Sequence, residues 1–446
     1  FSNVNEIESV PFTEEETETE KNVIKEEKVL NMTRKIINAS LRSSPRSPFP
    51  QKSIFLFKDF FGNTPLHCHC GMGNASPTLL TLIFSYCSKQ KYMDIDGADD
   101  YLMGPSTIEL IRTVNDRGCT PLHFLAESRC PLESMEIMLM HCLCDKERIT
   151  IQLPLEPSPS PYSPIQRTDT DLSCIKHNFS HPGLIQDEDG DTPLHYACAN
   201  AKHIEFLILL LEHCPGAITL RNIEGFSPIQ ELWRWAQLDW YENDLEHELQ
   251  FPGPDGDSEA NEKFQLRFIN EVTSDKNSGF TNHLWALLNL YIEASLYGTV
   301  HRTAGYLRDS KFDDSWRPLH AAATLTHFDD LYIFEFVVRM QPNQLYEYDS
   351  VGHLPIHAAV STPSKYSSPI HNIKILLNTS QNQSTNICAL ATQTENEKLP
   401  LHLAIESGKD LKVICLLCRQ YHDAFDMKIK NKGIYPWMLA AVDDNN

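Results

Sequence analysis

The sequence predicts an all-α solenoid of about seven to eight degenerate helix–turn–helix repeats, with short hairpin loops and two long insertions. The first observation is a recurring proline, usually followed by leucine and histidine, at positions 65, 121, 193, 228, 318, 355, 400 and 436. The second is spacing: three of the intervals are 35, 37 and 36 residues, and the longer ones fit one repeat plus an insertion. The third is that apolar stretches of helical length follow the motif, as in HIEFLILLLEHC at 203–214.

Residues 190–217 show why each helix of a repeat is predicted. Thr192 stands where a helix N-cap is wanted, and Pro193 suits the first helical turn because that turn has no use for its missing N–H. Leu194 and Ala197 lie three residues apart on one helical face. The second helix cannot bury its apolar surface alone, so the pattern predicts stacking on neighbouring repeats.

This unit resembles the ankyrin repeat. The matching residues are Gly190, Thr192, Pro193, Leu194, His195 and Ala197, together with Leu209, Leu210, Gly216 and Ala217 after two one-residue insertions. The resemblance extends over residues 59–446, apart from the two long insertions. It implies that the repeated histidine is a structural residue that hydrogen-bonds neighbouring backbone. The histidines in this position are His67, His123, His195, His320, His357 and His402, with Gln230 in the same slot of the fourth repeat.

A catalytic role does not fit these histidines, because a catalytic histidine needs its own nucleophile or acid partner and these recur in one register. We therefore expect no catalytic residues. Some repeats depart from the pattern. Arg317, Leu354 and Leu399 replace the capping threonine, which predicts a loss of up to about 1 kcal/mol for each helix. His69 and Leu125 occupy small-residue positions, so the first two repeats are expected to be irregular.

Composition narrows the class of partner. The 446 residues carry a formal net charge of −22, which argues against a nucleic-acid partner and favours a basic protein partner. The longest apolar run, 206–211, is too short to insert in a membrane. Thirteen cysteines without framework spacing indicate reduced thiols and a cytoplasmic or nuclear location. The chain begins at Phe1, which indicates a fragment or a trimmed product.

The predicted organisation follows from these patterns. Residues 1–53 read as a disordered segment, acidic and then Ser/Pro-rich, and 148–184 as a Pro/Ser-rich linker. Repeats one and two occupy 54–147. Repeat three and the first helix of repeat four occupy 185–238, and an acidic insertion occupies 239–280. The rest of repeat four, repeats five to seven and a terminal cap occupy 281–446.

Two other constellations compete for a functional interpretation. The pairs HCHC (67–70), CLC (142–144) and CLLC (415–418) contain metal-ligand residues, but they lie in different repeats and the last is spaced like core positions. We expect no metal and no cofactor. Trp233, Trp235 and Trp240 favour packing around an extended helix, with an aromatic ligand platform as the alternative. No enzyme motif is recognised beside the repeats.

The function predicted is a protein–protein interaction module or scaffold that binds partners on the concave face of the array. Two alternatives remain: a regulatory ankyrin region of a larger enzyme or channel, and a metal- or redox-sensing protein. The resemblance places partner contacts on the hairpin tips and the exposed side of each first helix, unless the linker or the insertion folds back over them. The predicted tip residues are Asp116, Arg117, Asp189, Asn222 and Glu224. The predicted first-helix residues are Phe124, Glu127, Ser128, Tyr196, Ala199, Asn200, Leu403, Glu406 and Ser407.

Regulation by phosphorylation is also predicted. Five serines precede proline in segments that read as disordered, namely Ser44, Ser47, Ser158, Ser160 and Ser163. Such sites suit proline-directed kinases, and each phosphate would add about −1.5 to −2 charges near neutral pH. The alternative is that serine and proline are simply common linker residues.

Overall fold

The computed structural model divides into two compact units, residues 1–142 and residues 143–446. It describes residues 28, 31, 32 and 35, and then 54–71, 73, 75–90, 107–128, 130–142, 181–200, 204–243, 258–274, 278–298, 316–325, 330–362, 370–381, 389–429 and 432–442. Within these residues the regular structure is helical, and the extended pairing is an isolated bridge between Ile429 and Ile434. The all-α prediction is therefore confirmed.

The first unit contains two helix pairs and a short connecting helix. Its helices are α1 (Pro65–Gly71), α2 (Pro77–Gln90), α3 (Thr107–Arg112), α4 (Pro121–Glu127) and α5 (Leu132–Met140). The first helices α1 and α4 pack side by side, and so do the second helices α2 and α5. Helix α3 contacts both α2 and α4. The result is two layers of parallel neighbours, as expected for stacked helix–turn–helix repeats.

The second unit repeats this construction. Its helices are α6 (Pro193–Asn200), α7 (Ile204–His213), α8 (Pro228–Asn243), α9 (Ser258–Ser274), α10 (Gly279–Tyr297), α11 (Pro318–Thr324), α12 (Leu331–Met340), α13 (Pro355–Ser361), α14 (Ile370–Gln381), α15 (Pro400–Glu406), α16 (Leu411–Gln420) and α17 (Pro436–Val442). First helices stack in the pairs α6–α8, α11–α13, α13–α15 and α15–α17. Second helices stack in the pairs α7–α10 and α12–α14.

The predicted leucine and alanine positions lie in the core. Leu66, Leu122, Leu194 and Leu319 are almost fully buried, as are the alanines Ala321 to Ala323 of α11. Each such leucine directly follows the proline that begins a first helix, so its side chain points between neighbouring helices. Short 3₁₀ turns such as Pro215–Thr219 follow some second helices and bring the chain back towards the next tip.

The acidic insertion contains an ordered helix. Helix α8 continues to Asn243, and α9 then packs on α10 and α12. Phe264, Phe268, Ile269 and Val272 form the buried face of α9, spaced as one helical stripe. This helix lies inside 239–280 and adds a layer to the second helices of the repeats.

The tryptophans of α8 pack against this added helix. Trp233 is buried, and its Nε1–H donates to Gln265 Oε1 at 3.1 Å. Its ring stands edge-on to Phe268, with the centroids 5.1 Å apart. The Trp240 ring is 5.4 Å from Phe268 in the same kind of contact, and the Arg267 guanidinium lies over it. Trp235 lies 6.1 Å from the ring of His283. Two of the three rings, those of Trp233 and Trp240, thus act as packing groups against α9.

None of the helices in the described part of the chain is both long enough and apolar enough to cross a lipid bilayer.

Candidate interaction surface

Three repeat histidines, His67, His195 and His357, each join their own helix start to the next repeat. His67 Nδ1 accepts a hydrogen bond from the Thr64 backbone N–H at 3.1 Å, and its Nε2 lies 2.9 Å from the Cys119 carbonyl oxygen. His195 does the same with the Thr192 N–H at 3.0 Å and the Phe226 carbonyl at 3.2 Å. His357 makes the same two contacts, with the Leu354 N–H at 3.1 Å and the Thr392 carbonyl at 3.0 Å. We call this pair of hydrogen bonds a histidine bridge.

This geometry fixes the tautomer of the ring. A backbone N–H can only donate, so Nδ1 must carry the lone pair, and a carbonyl can only accept, so Nε2 must carry the proton. The imidazole is therefore neutral. Burial opposes its charged form and lowers the pKa of His67 and His320 to about 4 and that of His357 to about 3.

The other repeat histidines keep parts of the same arrangement. His123 Nδ1 lies 2.9 Å from the Thr120 backbone nitrogen, and His402 Nδ1 lies 3.2 Å from that of Leu399. His320 Nε2 lies 3.1 Å from the carbonyl of Glu347 and 3.1 Å from that of His353. In repeat four, Gln230 Oε1 replaces the ring nitrogen and accepts from the Ser227 N–H at 2.9 Å. The feature common to His123, His402 and Gln230 is an acceptor atom three residues after the cap, which His320 does not use.

The predicted cap losses are partly offset. Leu354 and Leu399 have no hydroxyl for the helix start, yet their backbone N–H groups still donate to the histidines. Both leucines are almost fully buried, so each replaces the lost hydrogen bond with apolar contact.

The hairpin tips share a second device that the sequence analysis did not identify. In five of the described tips a side-chain oxygen accepts hydrogen bonds from backbone N–H groups that follow it in the sequence, at 2.8–3.0 Å; the residues that do so are Asp59, Asn115, Asp187, Asn222 and Asp349. The signal was present as an Asp or Asn six residues before the repeat proline. Such side chains stabilise tight turns because they satisfy backbone donors that the turn leaves unpaired.

In each tip that the structure describes, one residue has a positive φ, in the left-handed region. Gly190 has a φ of 76° and Gly352 a φ of 76°, a region that side chains disfavour. In the tip of repeat seven the same place is occupied by Glu397, with a φ of 59°. That tip therefore carries backbone strain that the others do not.

Neighbouring tips are joined to each other. In the first unit, the Asp116 N–H donates to the Phe61 carbonyl at 3.1 Å. In the second, the Ile223 N–H donates to the Asp189 carbonyl at 2.9 Å, and Asn222 Nδ2 donates to Asp191 Oδ1 at 3.0 Å. These bonds make each pair of tips a single rigid edge.

The predicted partner residues of repeats three and four lie around this edge. Asp189, Glu224 and Ala199 are exposed, and Asn200 is half-buried. Tyr196 is half-buried, and its hydroxyl donates to Asp187 Oδ2 at 2.7 Å. Asn222 is also half-buried and is engaged in the tip bonds.

In the first unit, some of the predicted partner-contact residues are exposed and others are half-buried. Asp116, Arg117 and Glu127 are exposed. Phe124 is half-buried: its ring stands edge-on to His67, with the centroids 5.7 Å apart, and a Cβ on Gly71 would approach it to 2.8 Å. Ser128 is half-buried and donates to the Leu125 carbonyl at 3.2 Å. Phe124 thus packs on the preceding repeat.

Repeat seven corrects one expectation. Leu403 was expected on the exposed side of the first helix, but it is only 9 % exposed. The reason is that α15 lies between α13 and α17 and also packs on α16, which leaves a narrow free face. Glu406 remains exposed and pairs with Lys398 at 2.6 Å, while Ser407 donates its hydroxyl to the Val360 carbonyl of the preceding repeat.

The sequence analysis missed the exposed apolar side chains of the tips. Ile223 is 74 % exposed between Asn222 and Glu224, and Phe60 is 92 % exposed in the first unit. An apolar residue at a turn that is otherwise polar is the signal that could have found them.

The cysteines show no metal-binding arrangement in the part of the chain that is described. No group of three His, Cys, Asp or Glu side chains there could hold a metal ion. Cys70 and Cys142 are buried, and burial raises the pKa of both thiols. The five serines predicted as phosphorylation sites lie outside the described residues.

Comparison with known proteins identifies the repeat. A family model described as the ankyrin repeat matches residues 189–223. The solved structures similar to the chain include the crystal structure of the Osh1 ANK domain from Kluyveromyces lactis, with 16 % sequence identity, 69 % of this chain and 96 % of that chain covered, and a TM-score of 0.17. A comparison with curated proteins gives no match. The matched segment contains His195, its hydrogen bond with the Thr192 N–H and the Asp189–Ile223 tip contact. Residues 189–223 are therefore an ankyrin repeat, and the same structural features recur in helix pairs before and after it.

Proposed function

We propose that this protein is a non-catalytic interaction module that binds a basic protein partner along the joined tips of repeats three and four. Ankyrin domains generally serve as protein-interaction modules. The observation that carries the proposal is Ile223, exposed at 74 % on a tip that hydrogen bonds hold rigid. An exposed apolar side chain on a preorganised edge loses little entropy on binding, so it suits an interface anchor.

The charge around Ile223 supports a basic partner. Glu188, Asp189 and Glu224 are exposed beside it. Burial, and then neighbouring carboxylates, raise the pKa of Asp191, so a cationic partner would relieve this crowding. We propose a partner segment with lysine or arginine beside an apolar residue that covers Ile223. Tyr196, Ala199 and Asn200 would form the adjoining contact on the first helix.

The test is affinity capture followed by mass spectrometry, with the Ile223→Asp and Glu224→Lys variants compared with the parent chain. Each variant is expected to reduce capture of basic partners at least tenfold, an effect within the range of interface hot spots. Raising the salt concentration is expected to weaken the remaining capture, because screening acts on exposed charges.

The matched control is Glu242→Lys, a charge reversal at an exposed position in the last turn of α8. It changes the net charge as much as Glu224→Lys does, but lies away from the tips. Equal loss of capture in both charge variants would mean that only net charge matters, and unchanged capture by Ile223→Asp would refute the proposed surface.

The free cysteines bear on the cellular compartment of the protein. None of the cysteines in the described residues forms a disulfide, and several are buried beside apolar helices. This usage supports a reducing compartment, so we propose a cytoplasmic or nuclear protein. Immunofluorescence of the native protein tests this, and a secreted pool would contradict it.

A further inference from the structure

Helix α16 presents an apolar face that its counterpart in repeat five buries. The two second helices align without a gap, as LYIFEFVVRM in α12 and LKVICLLCRQ in α16. In α12, Phe334, Phe336 and Val338 are almost fully buried. The residues in the same places of α16, Ile414, Leu416 and Cys418, are only half-buried.

The difference follows from the neighbours of each helix. Helix α12 packs on α9 and α14 as well as on its own first helix. Helix α16 packs on its first helix α15 and on the 3₁₀ turn His422–Asp426. Its core residues are Val413 and Leu417, while Leu411 is 73 % exposed and Cys415 is exposed. Positions 411, 414, 415 and 418 form one stripe on the helix surface.

The elements beside α16 extend this apolar surface. Phe425, in the 3₁₀ turn, and Trp437, at the start of α17, are both exposed. The turn packs on both α16 and α17, so all three elements belong to one end of the second unit. We call Leu411, Cys415, Phe425 and Trp437 the terminal face.

The charge of α16 is opposite to that of the chain. Residues 411–420 contain Lys412 and Arg419 and no acid, whereas the whole chain has a formal charge of −22. In α12, Arg339 pairs with Glu335 at 2.5 Å and also donates to Asn270 of α9. In α16 the glutamate is replaced by Cys415, so Arg419 and Lys412 are left as exposed cations beside the stripe.

We propose that the terminal face binds an amphipathic helix of a partner protein whose polar side is acidic. The pairing of α9 with α12 is the structural precedent: an added helix packs on a second helix and offers the Asn270 side-chain oxygen to its arginine. A partner helix with apolar residues at intervals of three and four would cover Leu411 and Cys415 in the same way. Its carboxylates would pair with Lys412 and Arg419. This surface is independent of the tips proposed above.

The experiment uses the full chain and a fluorescein-labelled helical peptide with leucine at every third and fourth position and glutamate elsewhere. Fluorescence anisotropy measures its binding. A second peptide has the same leucines, with lysine in place of glutamate. We expect the acidic peptide to bind at least tenfold more tightly than the basic one, and its affinity to fall as salt is raised.

Two variants locate the site. Leu411→Asp and the double variant Lys412→Glu, Arg419→Glu are each expected to weaken binding of the acidic peptide at least tenfold. The matched controls are Leu331→Asp, at the aligned and less exposed first position of α12, and Lys374→Glu, an exposed reversal on α14. Both controls, and the tip variant Ile223→Asp, should bind within twofold of the parent.

Other occupants give other results. If the parent chain dimerises in sedimentation velocity and Leu411→Asp abolishes the dimer, the face takes a second copy and the proposal is overturned. Co-sedimentation with vesicles of phosphatidylserine and phosphatidylcholine that Leu411→Asp removes would assign it to a lipid surface instead. Equal binding of both peptides, or no binding of either, would also overturn it.

Discussion

At the start of most repeats a single side-chain atom accepts the backbone N–H of the cap residue, and repeat four shows that this atom need not belong to a histidine. There Gln230 Oε1 accepts from the Ser227 N–H at 2.9 Å, where His195 uses Nδ1 at 3.0 Å for Thr192. The amide reproduces the bond within the repeat. The histidine adds a bond to the next repeat, through Nε2 and the Phe226 carbonyl. The two functions of the ring are therefore separable by mutation.

The first prediction separates them. His195→Gln should lower the free energy of unfolding by about 1 kcal/mol, the usual value of one hydrogen bond. His195→Ala should lower it by about 2–4 kcal/mol, because it also leaves the helix start without an acceptor and creates a cavity. Urea unfolding followed by circular dichroism gives both values. Equal losses for the two variants would show that the bond within the repeat contributes nothing.

The second prediction concerns tip strain. Glu397 has a φ of 59°, which costs a side chain about 1–2 kcal/mol, while glycine loses about 0.5–1 kcal/mol in backbone entropy on folding. Glu397→Gly should therefore raise the free energy of unfolding by about 0.5–1 kcal/mol. Gly352→Ala, at the equivalent position, should lower it, since alanine disfavours the φ of 76° and its Cβ would meet the Glu395 side chain. A loss of stability in Glu397→Gly would rule out strain at this tip.

Prediction from the sequence succeeded for residues at positions that recur in every repeat. It failed for residues whose burial depends on helices from neighbouring repeats. The leucine and alanine core positions followed from helical spacing alone. Leu403 lies at a position that is exposed in an isolated hairpin, but α13, α16 and α17 surround its helix and bury it. Phe124 similarly packs on Gly71 and His67 of another repeat, and no local pattern encodes that contact.

At the scale of the helices, the histidine bridges couple stacking to pH. The pKa of His67 is lowered to about 4, and that of His357 to about 3, by burial. In the unfolded chain, histidine takes up its proton near pH 6.5. Between these values the unfolded state binds more protons than the folded state, so acid favours unfolding.

The third prediction follows from that sign. Stability should be constant above about pH 6.5 and should fall as the pH drops towards about 4, by up to about 3 kcal/mol for the His67 bridge. Urea titrations at pH 7.5, 6.0 and 5.0 measure the slope. His67→Gln cannot take up this proton, so it should show a shallower loss than the parent. An identical slope in that variant would contradict the assignment to His67.

Helix α9 was not predicted, because the acidic composition of its segment drew attention away from the spacing of its apolar residues. The acidic residues of 239–280 suggested an insertion defined by charge, yet Phe264, Phe268, Ile269 and Val272 are spaced as one buried face. A hydrophobic-period search of the insertion would have found them. Whether such a stripe is buried depends on the receiving surface, here Trp233, Trp240 and Phe336, which the sequence does not bring together.

The fourth prediction tests this packing. Phe268 is fully buried among the rings of α8 and α9, so Phe268→Ala should cost about 3–5 kcal/mol. Glu262→Ala, at an exposed position of the same helix, should stay within about 0.5 kcal/mol of the parent. Thermal unfolding monitored by tryptophan fluorescence reports on both. A small effect of Phe268→Ala would mean that α9 is only loosely docked.

For the whole molecule, the sequence was sufficient for the architecture because the architecture is repetitive. Each repeat shows the same sequence pattern. The replaced caps at Leu354 and Leu399 weaken two copies, but the spacing of the motif in the other repeats still identifies them. The surfaces were less accessible to prediction. Exposure of Ile223 and of the terminal face depends on which helix lies beside which, a property of the stack and not of any one repeat.

The bridge geometry has a consequence for chain length. The His67, His195 and His357 bridges span 52, 31 and 35 residues, yet their bond lengths are 2.9, 3.2 and 3.0 Å. Closing the longest loop instead of the shortest costs about 0.5 kcal/mol of chain entropy. Extra sequence between two bridged repeats therefore changes the free energy of unfolding very little. Such segments can diverge in sequence, lengthen or accept an inserted domain without altering the stacking of the repeats.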